Sequence, residues 1–172
     1  MTDFVGSIAQ KILSREQAVE RLSRSSRVGK TLALANGCFD LLHVGHVRYL
    51  QAAKREADLL LVALNTDASV RGLKGEGRPL QPEDERAEII ASLACVDFVT
   101  LFKEPTVGPF IELLQPDVQC KGTDYTEETV PERETVWGYG GRIAIVGDPK
   151  DHATTTIVKK LRVEGCWMRN EG

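Results

Sequence analysis

The sequence predicts an α/β domain in which one doubly wound, parallel sheet of five strands carries helices on both faces, with a further helix at the N-terminus. Short apolar runs alternate with segments of helical spacing from Thr31 onward, which is typical of buried parallel strands and their crossover helices. The 172 residues match the size of one domain, and 42% hydrophobic with 27% charged residues is an ordinary globular composition. Right-handed crossovers between such strands give a Rossmann-like architecture, in which ligands bind at the carboxyl edge of the sheet.

The predicted strands are short apolar runs, and the predicted helices have apolar residues recurring three and four positions apart. The strands comprise residues 31–35, 59–64, 98–102, 118–120 and 143–146. The helices between them comprise residues 47–55, 83–95, 107–114, a weaker one within 127–137, and 154–163.

The N-terminal segment is predicted to form an amphipathic helix from Ser14 to Arg27, with Ser14 as its N-cap and Ala18 and Leu22 on its apolar side. We expect this helix to pack on the outside of the core or on a partner subunit, and the second arrangement would make a homodimer. The predicted division is a helical extension and linker over residues 1–29, the α/β domain over residues 30–165, and a tail over residues 166–172.

The charge balance and the cysteines exclude several classes. Lys and Arg total 22 against 25 Asp and Glu, and this net charge of -3 disfavours a broad nucleic-acid surface. No stretch approaches the ~20 apolar residues of a membrane span, and the N-terminus lacks the apolar core of a signal peptide. The four cysteines are far apart and never form a CxxC pair, which indicates free thiols. We therefore expect a cytoplasmic protein without nucleic-acid or membrane partners.

The segment from Asn36 to Leu50 is the strongest candidate for a ligand site, because it lies where the first strand passes into a helix. Gly37 and Gly45 allow close backbone approach, and N–H groups at a helix start bind anions. His43 and His46 are three residues apart and share a face if the helix has begun, so both could bind one phosphate group. Spacing alone also allows structural or metal-binding histidines, although no zinc-ligand spacing to Cys38 or His152 is recognisable.

Three more segments leave the same predicted edge of the sheet. The loop over residues 66–82 is glycine-rich and basic, which favours a lid over phosphates, with Lys74 reaching them and Asp67 accepting hydrogen bonds from substrate hydroxyls. The second segment contains Lys121 and Gly122, and its Asp124 is a candidate for holding a ribose. The third contains a threonine cluster at a predicted helix start, suited to gripping phosphates or merely capping the helix. The candidates in the second and third segments are Lys121, Gly122, Asp124, Tyr125, Thr154 and Thr155.

Several motifs resemble those of a known family. Gly37-Cys38-Phe39-Asp40 followed by His43-Val44-Gly45-His46 resembles the HxGH signature of the cytidylyltransferase-like nucleotidyltransferases. The runs LNTDASVRGLKG, ERAEI and KGTDY, with the threonine cluster, are similar to the sugar-phosphate adenylyltransferases that make ADP-heptose, except that Ala153 replaces a usual serine. The resemblance spans residues 31–161.

The resemblance implies transfer of AMP from ATP to D-glycero-β-D-manno-heptose 1-phosphate, giving ADP-heptose for lipopolysaccharide synthesis and pyrophosphate. A cytidylyltransferase for a polyol or amino-alcohol phosphate, such as glycerol 3-phosphate, is the alternative, but those enzymes carry an arginine where Asp148 aligns. A regulatory nucleotide-binding protein is a third reading, which the intact histidines and lysines oppose. Relatives are often fused behind a sugar kinase, and since none precedes this domain we expect a separate heptose kinase to supply the substrate.

The resemblance also implies roles for individual residues. Arg86 aligns with the arginine that faces the acceptor phosphate. Mg²⁺ would bridge the triphosphate near Asp40, without a cage of protein side chains. The implied catalytic residues are His43, His46 and Lys74; the nucleotide-binding residues are Gly37, Cys38, Phe39, Asp40, His43, Gly45, His46, Lys121, Gly122, Asp124, Thr154 and Thr155; and the acceptor-binding residues are Asn65, Asp67, Arg86 and Tyr125.

Overall fold

The computed structural model describes residues 8–149 and 157–158, and its framework is a parallel sheet of six strands. The strand order across the sheet is β1-β4-β3-β2-β5-β6. The strands are β1 (Ile12–Leu13), β2 (Leu32–Gly37), β3 (Leu59–Asn65), β4 (Phe98–Phe102), β5 (Val118–Lys121) and β6 (Arg142–Ile145).

Helices cover both faces of this sheet, as the alternating pattern predicts. On one face, Leu50 and Ile90 bury their helices against Val62 and Val99. The other face buries three further helices in a second core. The helices are α1 (Arg15–Leu22), α2 (Val44–Lys54), α3 (Asp67–Lys74), α4 (Glu83–Ala91), α5 (Gly108–Leu114) and α6 (Arg133–Gly138), with a 3₁₀ turn at Glu127–Thr129.

The predicted fold class is confirmed, whereas the predicted count of five strands is wrong by one. The additional strand β1 is two residues long and pairs in parallel with β4, placing Ile12 opposite Val99 and Leu13 opposite Thr100. A two-residue run carries no readable periodicity, because the β pattern needs about four residues to repeat. Only its pairing with β4 identifies this segment as a strand.

The N-terminal helix packs in the second core. Ser14 caps it as predicted, accepting a hydrogen bond from the Gln17 N–H, but α1 ends at Leu22 rather than at Arg27. Leu22 is buried with Leu114 of α5, and the buried Arg27 guanidinium donates to the carbonyl oxygens of both leucines. Residues of the predicted N-terminal extension therefore pack against the α/β domain.

Three other element predictions differ from the structure. Helix α4 ends at Ala91, because the chain turns at Ser92 well before the predicted end at residue 95. The weak helix predicted within 127–137 is divided around Pro131, which has no N–H to continue a helix. The helix predicted over 154–163 lies outside the described residues, apart from the helical residues 157 and 158.

The predicted irregular loop over residues 66–82 contains a helix. The Thr66 hydroxyl accepts from the Ser69 N–H and caps α3, and Val70 is buried beneath it. The remaining loop therefore runs only from Gly75 to Pro82.

The strand order places the topological switch between β2 and β5. From β2 the chain passes outward to β3 and β4, and β5 then returns to the opposite side of β2. The loops after β2 and β5 therefore leave the sheet in opposite directions and open a crevice, which is where ligands bind in this architecture. Within the described ranges, no helix has the length and hydropathy needed to cross a bilayer.

Candidate functional site

A cavity of about 550 Å³ lies at the switch point, at the carboxyl edge of the sheet. This volume suits a nucleotide-sized ligand. Twelve of the predicted site residues line it together: Gly37, Cys38, Phe39, His43, Gly45, His46, Asn65, Lys74, Lys121, Gly122, Asp124 and Tyr125.

The turn after β2 has an unusual backbone that aims Phe39 inward. Phe39 has φ of 44°, in the left-handed region that side chains other than glycine rarely adopt. A Cβ on Gly37 would lie only 3.0 Å from the Phe39 ring, so any larger residue there would require the ring to shift. The Phe39 ring then packs against His46, with their centroids 5.0 Å apart.

The two histidines meet at the start of α2. The helix begins at Val44 with His43 as its N-cap in an extended conformation, so His43 precedes the helix rather than lying on its first turn. The imidazole rings nevertheless stack, with their centroids 3.8 Å apart. The first N–H groups of a helix lack intrahelical acceptors, so both rings lie beside a site suited to anions.

Burial lowers the pKa of His46 to about 4, and the nearby charges of His43 and Lys74 contribute in the same direction. His46 is therefore neutral at pH 7 before any ligand binds. A neutral imidazole still carries one N–H donor. The negative charge of a bound phosphate would oppose the effect of burial and strengthen that donor.

The two predicted lysines have different surroundings. Lys74 ends α3 with its side chain exposed, yet it lies on the cavity wall near His46. Lys121 is buried, donates to the Asn36 side-chain oxygen at 2.9 Å and pairs with Glu132 at 3.1 Å. An ammonium has three N–H donors, so Lys121 keeps one for a ligand. Lys74 is consequently the more accessible cation.

Asp40, which is predicted to lie near the nucleotide and Mg²⁺, is not among the residues that line the cavity. Its carboxylate is buried, and one oxygen accepts from the N–H groups of Leu80 and Gln81. The other oxygen pairs with Arg78 at 2.5 Å. Asp40 thus fastens the loop before α4 to the histidine corner.

Arg86 and Asp67 also lie outside the cavity lining. Arg86 is fully buried, and its guanidinium donates to the carbonyl oxygens of Cys38, Asn65 and Gln81 at 2.7, 2.9 and 3.0 Å. Its remaining nitrogen pairs with Asp67 at 2.6 Å. In this structure Arg86 joins the ends of β2 and β3 to the loop and presents no donor to a substrate phosphate.

The turn after β6 closes the cavity beside α2. Gly147 has φ of 96°, and a Cβ there would lie 3.3 Å from the Tyr49 backbone, so close packing and conformation both require glycine. The Thr123 hydroxyl donates to the Asp148 carbonyl oxygen at 2.8 Å, joining this turn to the one after β5. The predicted phosphate-gripping residues Thr154 and Thr155 lie outside the described residues.

Sequence reasoning missed several residues that line the cavity. Glu132 was unremarkable within a charged run, although it pairs with Lys121 across the cavity wall. A carboxylate near a glycine turn gives no sequence signal unless its partner in another element is known. Asn36 and Tyr49 also line the cavity and lie within the predicted segment, although neither was singled out. The other missed lining residues include Phe102, Thr106, Val107 and Pro131.

No group of three or more His, Cys, Asp or Glu residues within the described ranges is arranged to hold a metal ion. Burial also raises the pKa of the Cys38 thiol above its usual value. That thiol stays protonated at neutral pH and is a poor nucleophile. The site offers donors and cations to a phosphate chain rather than a covalent attachment point.

A parallel sheet whose switch point carries stacked histidines at a helix start, facing an exposed lysine, defines an α/β protein of the nucleotide-binding class. The family model described as Cytidylyltransferase-like matches residues 34–161, which is most of the chain. The chain belongs to this cytidylyltransferase-like family.

Curated relatives share high identity with the chain. It is 57% identical over 134 residues to "Bifunctional protein HldE" of Geotalea uraniireducens, covering 78% of this chain and 27% of the relative. It is 49% identical over 151 residues to the protein of the same name from Syntrophotalea carbinolica, covering 88% of this chain and 31% of the relative. The chain thus spans less than a third of the length of these relatives.

Solved structures share the fold. The lipopolysaccharide core biosynthesis protein of Thermoplasma volcanium superposes with a TM-score of 0.59 at 27% identity, over 70% of this chain and all of that one. Pantothenate synthetase of Thermus thermophilus superposes with a TM-score of 0.58 over 83% of this chain and 63% of that one, but at 17% identity it supports the fold alone.

Proposed function

We propose that this chain is an adenylyltransferase that transfers AMP from ATP to a sugar 1-phosphate, releasing pyrophosphate. The observation that carries the proposal is the meeting of His43, His46 and Lys74 in one cavity at the switch point of the sheet. D-glycero-β-D-manno-heptose 1-phosphate is the proposed acceptor. The motif resemblance and the identity to bifunctional protein HldE support that choice.

The proposed chemistry is a direct in-line displacement. An oxygen of the sugar phosphate attacks the α-phosphorus of ATP, and the bond from that phosphorus to the oxygen bridging to the β-phosphate breaks. His46 and His43 donate to the α-phosphate and bridging oxygens as charge develops there, while Lys74 neutralises the departing pyrophosphate. Because these donors are fixed by the fold, they need no reorganisation during the reaction.

Mg²⁺ is proposed to enter as part of the substrate, bound to the triphosphate. Asp40 lies outside the cavity lining and pairs with Arg78, so we propose no metal ion at that carboxylate. We also propose that a separate sugar kinase, which phosphorylates an anomeric hydroxyl, supplies the sugar 1-phosphate. A homodimer and a cytoplasmic location remain predictions.

ATP should be used in strong preference to CTP. Asp148, which aligns with the arginine of the polyol-phosphate cytidylyltransferases, lies on the cavity wall and pairs with Arg48 at 2.7 Å, so this position presents a carboxylate rather than a guanidinium. Pyrophosphate release should be measured with four nucleoside triphosphates against heptose 1-phosphate, hexose 1-phosphates and glycerol 3-phosphate. Turnover with CTP and glycerol 3-phosphate equal to or faster than with ATP and a sugar 1-phosphate would overturn the proposal.

A further inference from the structure

The cavity extends across the edge of the sheet and has walls on both faces. On the first face lies α2, whose His46 contacts the ring of Phe39 in the first core. On the second face lie Phe102 and Val107, which belong to the second core. The histidines thus occupy one part of the cavity, and a second part, lined by Phe102, Thr106, Val107, Pro131 and Glu132, has no assigned ligand.

Glu132 is the charged group of that second part. Only 7% of the residue is exposed, and its Oε2 lies 3.1 Å from the Lys121 ammonium without an aligned hydrogen bond to any described residue. A carboxylate offers about four acceptor positions. Burying a carboxylate removes it from water, which is unfavourable. An ion pair with a single cation offsets this desolvation only when the remaining acceptor positions also form hydrogen bonds. The acceptor positions of Glu132 therefore call for O–H or N–H donors from a ligand.

The surroundings indicate which donors fit. A phosphate would be repelled by the carboxylate, whereas the exposed Lys74 and the histidines attract phosphates in the other part of the cavity. Phe102, Val107 and Pro131 give apolar walls beside one carboxylate. A ligand that is apolar on its ring faces and carries hydroxyl groups at its edge, as a sugar does, matches such a pocket.

We infer that Glu132 binds hydroxyl groups of the acceptor sugar and so determines which acceptor is used, while the ion pair with Lys121 holds the carboxylate in place. This inference rests on the proposed sugar-phosphate adenylyltransferase function. It assigns the second part of the cavity to the sugar ring and the first to the triphosphate. The sugar phosphate group then points toward the histidines, where the α-phosphorus lies.

The test compares Glu132→Gln with Glu134→Gln, a matched change two residues further along the chain, where the side chain is 76% exposed. Losing a charge-assisted hydrogen bond costs ~10- to 100-fold in affinity. Glu132→Gln should raise KM for the sugar 1-phosphate by that factor, while calorimetry shows ATP affinity within about two-fold. Glu134→Gln should leave both unchanged.

Deoxy analogues of the sugar 1-phosphate distinguish two roles for Glu132, namely binding of a sugar hydroxyl group and positioning of Lys121. The unsubstituted protein should lose ~10-fold or more in kcat/KM with the analogue that lacks the bound hydroxyl, and Glu132→Gln should lose much of this discrimination. Glu132→Asp, which keeps the charge on a shorter arm, serves if the amide variant does not fold, and should weaken the same discrimination. Unchanged discrimination in a folded variant would overturn the inference alone. No sugar nucleotide from any sugar phosphate with the unsubstituted protein would instead overturn the proposed function.

Discussion

Replacing His46 with alanine should lower kcat by ~10²- to 10³-fold, equivalent to roughly 3–4 kcal/mol, because a preorganised donor at the transition state is removed. ATP affinity should change only a few-fold, since the ground-state triphosphate keeps its contacts with the helix start and Lys74. The stacked rings of His43 and His46 hold the donor in place before substrate arrives. Steady-state kinetics and ATP calorimetry on the same variant measure the two effects separately.

The control for this prediction is His46→Asn, which retains an N–H donor of shorter reach and should recover part of the lost rate. Urea unfolding must accompany both variants, because His46 also packs against Phe39. A folded alanine variant with near-normal kcat would show that the histidine is structural. If ATP affinity fell together with kcat, His46 would instead contribute to binding of ATP in the ground state.

Arg86→Ala should destabilise the protein by ~3–5 kcal/mol, because it removes the buried cation that Asp67 and three carbonyl oxygens share. Urea unfolding at pH 7 measures the change in the free energy of unfolding. Arg133→Ala is the matched control, since Arg133 pairs with Glu134 at the surface and its loss should cost less than about 1 kcal/mol. Arg86→Lys should not restore stability, because an ammonium cannot reproduce the planar fork of donors.

This prediction also decides between two roles for Arg86. The family resemblance implies that it faces the acceptor phosphate, whereas the structure buries it among backbone carbonyls of the two strand ends. A stable Arg86→Ala protein with a raised KM for the sugar phosphate would support the ligand role. A destabilised protein whose residual folded fraction binds both substrates would support the positioning role.

The fold was largely predictable because most of its strands are long enough to be recognised as apolar runs in the sequence. The predicted strand over residues 98–102 matches the observed β4. The other four predicted strands differ from the observed ones by one or two residues at their ends. Strand β1 was not predictable, since Ile12 and Leu13 form a strand only through pairing with β4. Helix α3 was missed because Gly72, Gly75 and several charges indicate a loop, whereas burial of Val70 stabilises a helix.

The site was predictable where residues follow a strand end directly. His43, His46 and Lys121 fall in the cavity because the motifs that carry them immediately follow β2 or end β5. The family resemblance placed Asp40 beside the nucleotide, whereas in the structure its carboxylate accepts hydrogen bonds from the N–H groups of Leu80 and Gln81. Contacts between distant elements decide such cases, and local sequence does not contain them.

The central claim is transfer of the α-phosphorus of ATP to a sugar phosphate, and isotopic labelling tests it most directly. The protein is incubated with Mg²⁺, heptose 1-phosphate and ATP labelled in separate experiments at the α- and γ-phosphorus. In-line displacement predicts that the α label appears in the nucleotide sugar, while the γ label appears only in pyrophosphate. The γ label on the sugar product, or neither label leaving ATP in the presence of the sugar phosphate, would contradict the account.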